Sequence, residues 1–270
     1  MKKMALAALV CAMAAAFGFV SCKKNSTSGD NSLADLQKRG TFVLGLDDSF
    51  PPLGFRDENN EIVGFDIDLA KEVSSRLGVE FKAQPIDWSA KEQELNTGNI
   101  DCIWNGFTMT AERQEALSFT KPYLDNAQVV VVLANSGIKT LADMAGKTIG
   151  LQSGSSAAEA VDADPSFKSS LKGIVEFKDN ITALNDLEIK GVDGVVMDSV
   201  VANYSIKTTG KPFAVISEGL APEEYGVAFR KGDVQLRDKV QSILEDMAKD
   251  GTVAKISTKW FGSDISIIGK

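Results

Sequence analysis

Not one of the 270 residues is histidine. That absence removes Ser-His-Asp and Cys-His nucleophile systems and imidazole-based metal sites. Cysteine is scarce, at three. Cys11 and Cys22 fall in or beside an apolar leader, which leaves Cys102 alone in the folded part, where no disulfide can then form. Cys102 lies in "NIDCIWNG", a setting for a small buried hydrophobe rather than a reactive thiol. Positive charge is also in deficit. The formal net charge is −8, and because residues 1–21 hold two lysines and no acid, the chain from Cys22 onward carries −10. An acidic chain without a basic stripe argues against nucleic-acid binding. What remains is ordinary for a globular protein, 44% hydrophobic and 24% charged, and long enough for one large domain or two modest ones.

The one long apolar run is at the start. "MKK" precedes "MALAALVCAMAAAFGFV", and "SCKKNSTSGDNS" follows. Basic start, apolar stretch and small residue before a cut are the layout of a secretory signal peptide over residues 1–21. "FVSC" resembles the lipobox of bacterial lipoproteins, with Phe19 in place of the usual leucine. That resemblance makes Cys22 the lipidated first residue of the mature chain, anchored to a bilayer through more than one acyl chain. Residues 22–32 then read as the lipidated cysteine and a flexible tether, since they hold no core-forming side chains. The expected location is the periplasm or cell surface, on a membrane anchor.

Beyond the tether, short apolar runs alternate with helical patterns. "TFVLGL", "VEFKAQ", "DCIW", "VVVVL", "KTIGL", "IVEF", "GVVM", "FAVIS" and "YGVAF" read as strands, most apolar on both faces as in a buried parallel sheet. Ser89 to Glu92 fits a capping box ahead of Leu95, with Gly98 as a stop. Asp66 is placed to cap a helix that buries Leu69, Val73 and Leu77 and ends at Gly78. Leu236, Val240, Ile243, Leu244 and Met247 form one stripe closed by Gly251. The alternation predicts an α/β fold with helices on the sheet faces. "TKPYLDNAQVVVVL" and "ISEGLAPEEYGVAF" look like two passages between lobes, giving residues 33–125 plus 219–270 as one lobe and 126–218 as the other.

In open α/β sheets, ligands bind beyond the carboxyl ends of the strands. Five loops fall there: "LGLDDSFPPLGF", "PIDWSA", "NGFTMTAER", "GLQSGSSAAEA" and "VVMDSVVANY". Each has a bland reading as a turn, a cap or a piece of core. Together they offer a complementary set. Arg113 can grip a carboxylate with a bidentate fork, with Thr108, the Gly106 backbone and Ser156 as further donors. Asp198 can hold an ammonium. Phe50 and Trp88 can flank a side chain whose polar end meets Asp47. A free α-amino acid needs those partners.

"GFDIDLAKEVSSRL" (residues 64–77) closely resembles the signature of solute-binding protein family 3, the amino-acid receptors of bacterial ABC importers. "LGLDDSFPPLGF", "GFTMTAERQEALSFTKPY", "VDGVVMDSVVANY" and "MAKDGTVAKISTKWFG" resemble family blocks in the family's order, over about residues 33–263. The resemblance implies a two-lobe periplasmic-binding fold of type II, each lobe a mostly parallel sheet flanked by helices, with a double crossover hinge that closes on the ligand. It implies that Arg113 binds the α-carboxylate with Gly106, Thr108 and Ser156, and that Asp198 binds the α-amino group. Phe50 and Trp88 would flank the side chain, with Asp47, Asn105 and Gln152 at its far end. The expected protein is a monomeric, cofactor-free, metal-free receptor handing arginine, lysine or glutamine to an inner-membrane ABC permease. Whether Asp48 adds acidity depends on its direction. Two alternatives stand beside it. One is a dehydratase-like enzyme on the same scaffold, its acid-base work left to Asp or Glu. The other is a ligand sensor or adhesin.

Overall fold

The computed structural model describes residues 29–216 and 219–270; the expected signal peptide, Cys22 and most of the tether lie outside them. The tether's last residues are already docked. Asp30 accepts from the backbone of Ser32 and Gln235, and Ser32 Oγ accepts from Leu236 N–H. The folded body therefore starts slightly before residue 33.

From there the chain runs α1 (Ser32–Arg39), β1 (Thr41–Leu46), β2 (Ser49–Phe50), β3 (Gly54–Arg56), β4 (Ile62–Val63), α2 (Phe65–Leu77) and β5 (Glu80–Pro85). A 3-10 turn at Trp88–Ala90 leads into α3 (Lys91–Asn96), β6 (Cys102–Ile103), α4 (Ala111–Ala116), β7 (Leu117–Phe119) and the long β8 (Leu124–Leu133). Then come β9 (Thr148–Gln152), α5 (Ser156–Asp162), α6 (Pro165–Ser170), β10 (Gly173–Phe177), α7 (Asn180–Glu188), β11 (Gly194–Asp198), α8 (Ser199–Thr209) and β12 (Phe213–Val215). The chain closes with β13 (Ala221–Tyr225), β14 (Ala228–Arg230), α9 (Val234–Lys249) and α10 (Thr252–Phe261).

Two large sheets divide these strands. One has the order β5-β1-β6-β14-β7; the other has β10-β9-β11-β8-β12, with β13 also on β8. Each is parallel at one end and antiparallel at the other. β1 runs parallel to β5 and β6, and β9 to β10 and β11, whereas β14 and β8 run against their neighbours. The chain passes between the sheets just before β8 and again between β13 and β14. The two strands at those passages lie side by side, from Ala221 opposite Gln128 to Tyr225 opposite Leu124.

The apolar pattern explains the packing. Phe42, Leu44 and Leu46 of β1 are fully buried, as are Leu69 and Val73 of α2 and Val240 and Met247 of α9. The second sheet buries Val130, Val132, Ile149, Leu151 and Val196 with α5 residues Ala157 and Val161. β10 departs from the expectation of two apolar faces: Ile174 and Val175 are exposed, because β10 is a sheet edge. Cys102 is free and fully buried, and burial pushes its thiol up, which leaves it a core residue.

Two expected caps are placed differently. The turn before α3 is capped by Asp87, whose Oδ1 accepts from Ser89 N–H at 2.9 Å and Ser89 Oγ–H at 2.6 Å. Ser89 is thus a donor rather than the cap. The residue at the N-cap of α2 is Gly64, at φ 145°, where a Cβ would lie 2.1 Å from the Leu53 carbonyl oxygen. Asp66 is released from capping and turns inward.

Candidate functional site

The loop that follows β6 is held from beneath. Asp66 Oδ2 accepts from Gly106 N–H at 2.9 Å and from Tyr123 O–H at 2.8 Å. Burial pushes this carboxyl up to about 7, against the opposing pull of those two donors. Gly106 adopts φ 58°, and a Cβ there would stand 2.7 Å from Leu53 Cδ1 and 2.9 Å from Phe50 Cε1. The expectation that the Gly106 N–H serves a ligand carboxylate is corrected: that donor is spent on Asp66, and Gly106 is the pivot that presents the next residues. Trp104 turns into the core against Tyr123, ring centroids 6.2 Å apart, and so leaves Asn105 on the cleft side.

Thr110 caps α4 by accepting from Arg113 N–H. That places the Arg113 guanidinium over the Phe107 ring, at 4.5 Å. Its Nη1 donates to Thr108 O at 3.1 Å, while Nη2 approaches Gly154 O at 3.4 Å and Glu159 at 3.5 Å. Thr108 Oγ1 meets Ser156 Oγ at 3.0 Å. The β6–α4 loop and the β9–α5 loop therefore touch across the cleft. Lys91, almost fully buried, crosses as well, donating to Gly154 O at 2.8 Å and to Trp88 O at 3.2 Å. Burial depresses its ammonium pKa.

A second crossing lies at the β1 end. Asp47 Oδ2 accepts from Gln152 Nε2 at 2.7 Å, and Asp47 N–H donates to Asn105 Oδ1 at 3.1 Å. Burial pushes the Asp47 carboxyl up to about 6, opposed by the bonds from Gln152 and Ser49. Asp48 points away and pairs with Arg56 at 2.6 Å. Phe50 is buried beside Gly106. Trp88 packs edge-on to Phe107, centroids 5.7 Å apart, in an apolar cluster with Leu95, Ile100 and Ile103.

Asp198 does not follow the bland reading of a helix-start acid as a cap. It occupies the N-cap position of α8, yet its side chain caps nothing. Its Oδ1 instead accepts from Tyr225 O–H at 2.6 Å, Asn126 Nδ2 at 2.7 Å and Gln128 Nε2 at 3.0 Å. Burial, and after it the charge of Glu223, raise this carboxyl well above its usual range. Gln128 Nε2 also reaches Ser156 Oγ at 3.3 Å, which joins the Asp198 cluster to the Thr108–Ser156 contact. A cavity of about 680 Å³ opens beside Thr108, Asn126, Ser156 and Glu223. Asp47, Phe50 and Trp88 do not line it and are buried.

Among the expected site residues, contacts join Asp47, Asn105 and Gln152 in one group and Thr108, Arg113 and Ser156 in another, which Gln128 links to Asp198; Phe50 lies beside Gly106, and Trp88 stands apart in the apolar cluster around Phe107. Sequence reasoning missed Asn126, Gln128, Glu223 and Tyr225, as well as Asp66, Tyr123 and Lys91. One signal was present. In "LDNAQV", two amides alternate inside a strand otherwise running into valines, so both face the same side. Among the described residues, no group of acidic or cysteine side chains is arranged to hold a metal, and no helix is long and apolar enough to cross a membrane.

Comparison with known proteins places this geometry. The sequence profile of the bacterial extracellular solute-binding proteins, family 3, matches residues 42–263. The chain belongs to that family. The L-cystine-binding protein TcyJ of Escherichia coli is 31% identical over 245 residues, covering 89% of this chain and 90% of that protein. A substrate-binding protein of an ABC uptake transporter from Streptococcus pneumoniae, solved with bound histidine, superposes with a TM-score of 0.86. It is 39% identical over 89% of this chain and 100% of that one. Tv2483 bound to L-arginine superposes at 0.85, 36% identical, covering 90% and 99%. The fold is that of the type II periplasmic binding proteins, and these relatives are transport binding proteins rather than enzymes.

Proposed function

We propose that this chain is a lipid-anchored receptor that captures a polar L-amino acid between two lobes and delivers it to an ABC permease. The observation that carries the reading is Asp198, drawn off its cap position into a cluster that meets Thr108, Ser156 and Arg113. A carboxylate grip and an ammonium acceptor thereby sit on facing walls of one cleft. Arg113 takes the α-carboxylate with Thr108 and Ser156, and Asp198 takes the α-ammonium. Phe50 and Trp88 flank the side chain, and Asp47, Asn105 and Gln152 meet its far end. Residues 33–125 with 219–270 move against 126–218, with β8 and β13 as the hinge, and closure presents the permease with a distinct surface. A relative named for cystine and two solved with bound arginine or histidine support the substrate class. Cys22 supplies the anchor, and the location is the periplasm or cell surface.

Within that class, arginine, lysine or glutamine fits best. Asp47 is buried at the far end with two amides, which leaves a polar side-chain tip fully partnered and an aliphatic one facing unmet polar groups. Isothermal titration tests the preference. Tight binding of one of these three with no heat from leucine is the expected result; tight binding of leucine would overturn it.

A further inference from the structure

Glu223 is a second acid, half-buried on the wall of the cavity. It projects from β13, and its Oε2 accepts from Thr108 Oγ1 at 3.0 Å, Asn126 Nδ2 at 2.9 Å and Gln128 Nε2 at 2.9 Å. The two amides are shared. The same Asn126 and Gln128 nitrogens donate to Asp198 Oδ1, at 2.7 and 3.0 Å. Two carboxylates from different strands therefore hang on one pair of neutral nitrogens. Neutral amides satisfy hydrogen bonds without cancelling charge. Like charges held this close favour uptake of a proton or a cation.

The surrounding charges do not supply that cation. On β13 the neighbours are Tyr225, which donates to Asp198, and Glu224; β8 contributes Asp125 and α5 contributes Glu159. From α4 comes Arg113, whose guanidinium lies at Thr108 O, Gly154 O and Glu159 and is assigned to the ligand's carboxylate rather than to this pair. Neither lysine nor arginine lines the adjoining cavity. One acceptor in the cluster is unused. Gln128 is fully buried, and its Oε1 has no hydrogen-bond partner, although it belongs to the carboxamide that serves both acids. A primary ammonium brings one positive charge and three N–H donors. Asp198, Glu223 and Gln128 Oε1 match that donor set.

We propose that Glu223 is a second carboxylate for the ligand's α-ammonium, and that capture of the ammonium expels a proton held at Asp198. This rests on the amino-acid reading and specifies its cationic end. The proton passes to solvent, and the ammonium replaces it as the neutralising charge. Burial and the neighbouring Glu223 charge raise the Asp198 carboxyl toward neutrality, which puts the exchange in an accessible pH range. Below the titration of Asp198, ligand competes with a proton, so affinity climbs up to about tenfold per pH unit and then levels off.

The test is isothermal titration of the mature protein with L-arginine, L-lysine and L-glutamine, between about pH 5.5 and about pH 8.5. Each pH is run in buffers of different ionisation heat, so that released protons are counted. The wild type should release a large fraction of one proton at the acid end and bind more tightly as pH rises. Glu223→Gln keeps the side-chain shape and should release less, with a flatter profile and roughly tenfold weaker binding at the alkaline end. The Asp47 carboxyl, raised to about 6, can add a proton of its own, so the wild-type-to-variant difference is the deciding number. Wild-type binding with no proton release would overturn this inference and leave the receptor reading intact, whether or not the variant folds. An unchanged profile in folded Glu223→Gln would do the same. Failure of all three amino acids to bind folded protein would remove both.

Discussion

Replacing Gly106 with alanine asks two separable things of the structure. The first is backbone strain: φ 58° is a left-handed conformation, which costs an L-residue about 1–2 kcal/mol. The second is space. The new Cβ would stand 2.7 Å from Leu53 Cδ1, 2.9 Å from Phe50 Cε1 and 3.1 Å from Tyr225 Cε2. All three of those residues are buried and cannot swing aside. Overpacking of that kind costs about 1–3 kcal/mol. Gly98 isolates the first cost, since it has φ 81° and nothing within 4 Å of its added Cβ. Both variants recover the same few tenths of a kcal/mol or more from a stiffer unfolded chain. Gly98→Ala should therefore lose about 1 kcal/mol and Gly106→Ala about 2–4 kcal/mol. At roughly 2–4 °C of Tm per kcal/mol for a chain of this size, calorimetry should show Gly106→Ala melting about 2–12 °C below Gly98→Ala. Gly106→Ala should also weaken ligand binding, because Thr108 and Arg113 move with the loop. Equal melting points for the two variants would refute the packing argument.

Three further outcomes are expected. Arg113→Ala removes a charge-assisted carboxylate grip of about 2–3 kcal/mol, so titration should show affinity reduced about a hundredfold, whereas a surface role would leave it unchanged. Asp66 has a folded-state carboxyl raised to about 7 against an unfolded value near 3.9. Its contribution to stability is full below about pH 4 and is lost as pH climbs through about 7, by up to about 1.4 kcal/mol per pH unit. Asp66→Asn keeps an acceptor for Gly106 and cannot ionise, so its melting point should fall less between about pH 5 and about pH 8; parallel curves would contradict this. Lys91→Met removes the bond to Gly154 O across the cleft and should speed ligand release several-fold in stopped-flow measurements, with little loss of melting temperature.

The elements were legible because their signals are local. Val73 and Leu77 at helical spacing before Gly78, and the valine run of β8, announce themselves within a dozen residues. The acids were harder. Asp66, Asp87 and Asp198 each stand at a helix start; sequence alone offers Asp66 and Asp198 as caps and gives the α3 cap to Ser89 rather than Asp87. Asp87 is the one that caps. Asp66 serves partners 40 and 57 positions away, and Asp198 serves Asn126, 72 positions away. Glu223 was invisible for the same reason, since Thr108 lies 115 residues from it in the chain. The candidate site loops could be named because strand ends are where α/β folds keep their ligands. The network behind them depends on two β-strands returning side by side, which no short motif encodes.

The measurement that bears most directly on the account is a thermal-shift screen of the mature domain, residues 23–270, against the twenty amino acids. The protein is first unfolded and refolded to remove any ligand carried through purification. A ligand that binds only the folded state raises the melting point by mass action, by about 2.7 kcal/mol of stability at a hundredfold excess over Kd. A large shift with one or two polar amino acids is the predicted result, and it would name the cargo. A flat screen of protein shown to be folded would contradict the amino-acid assignment.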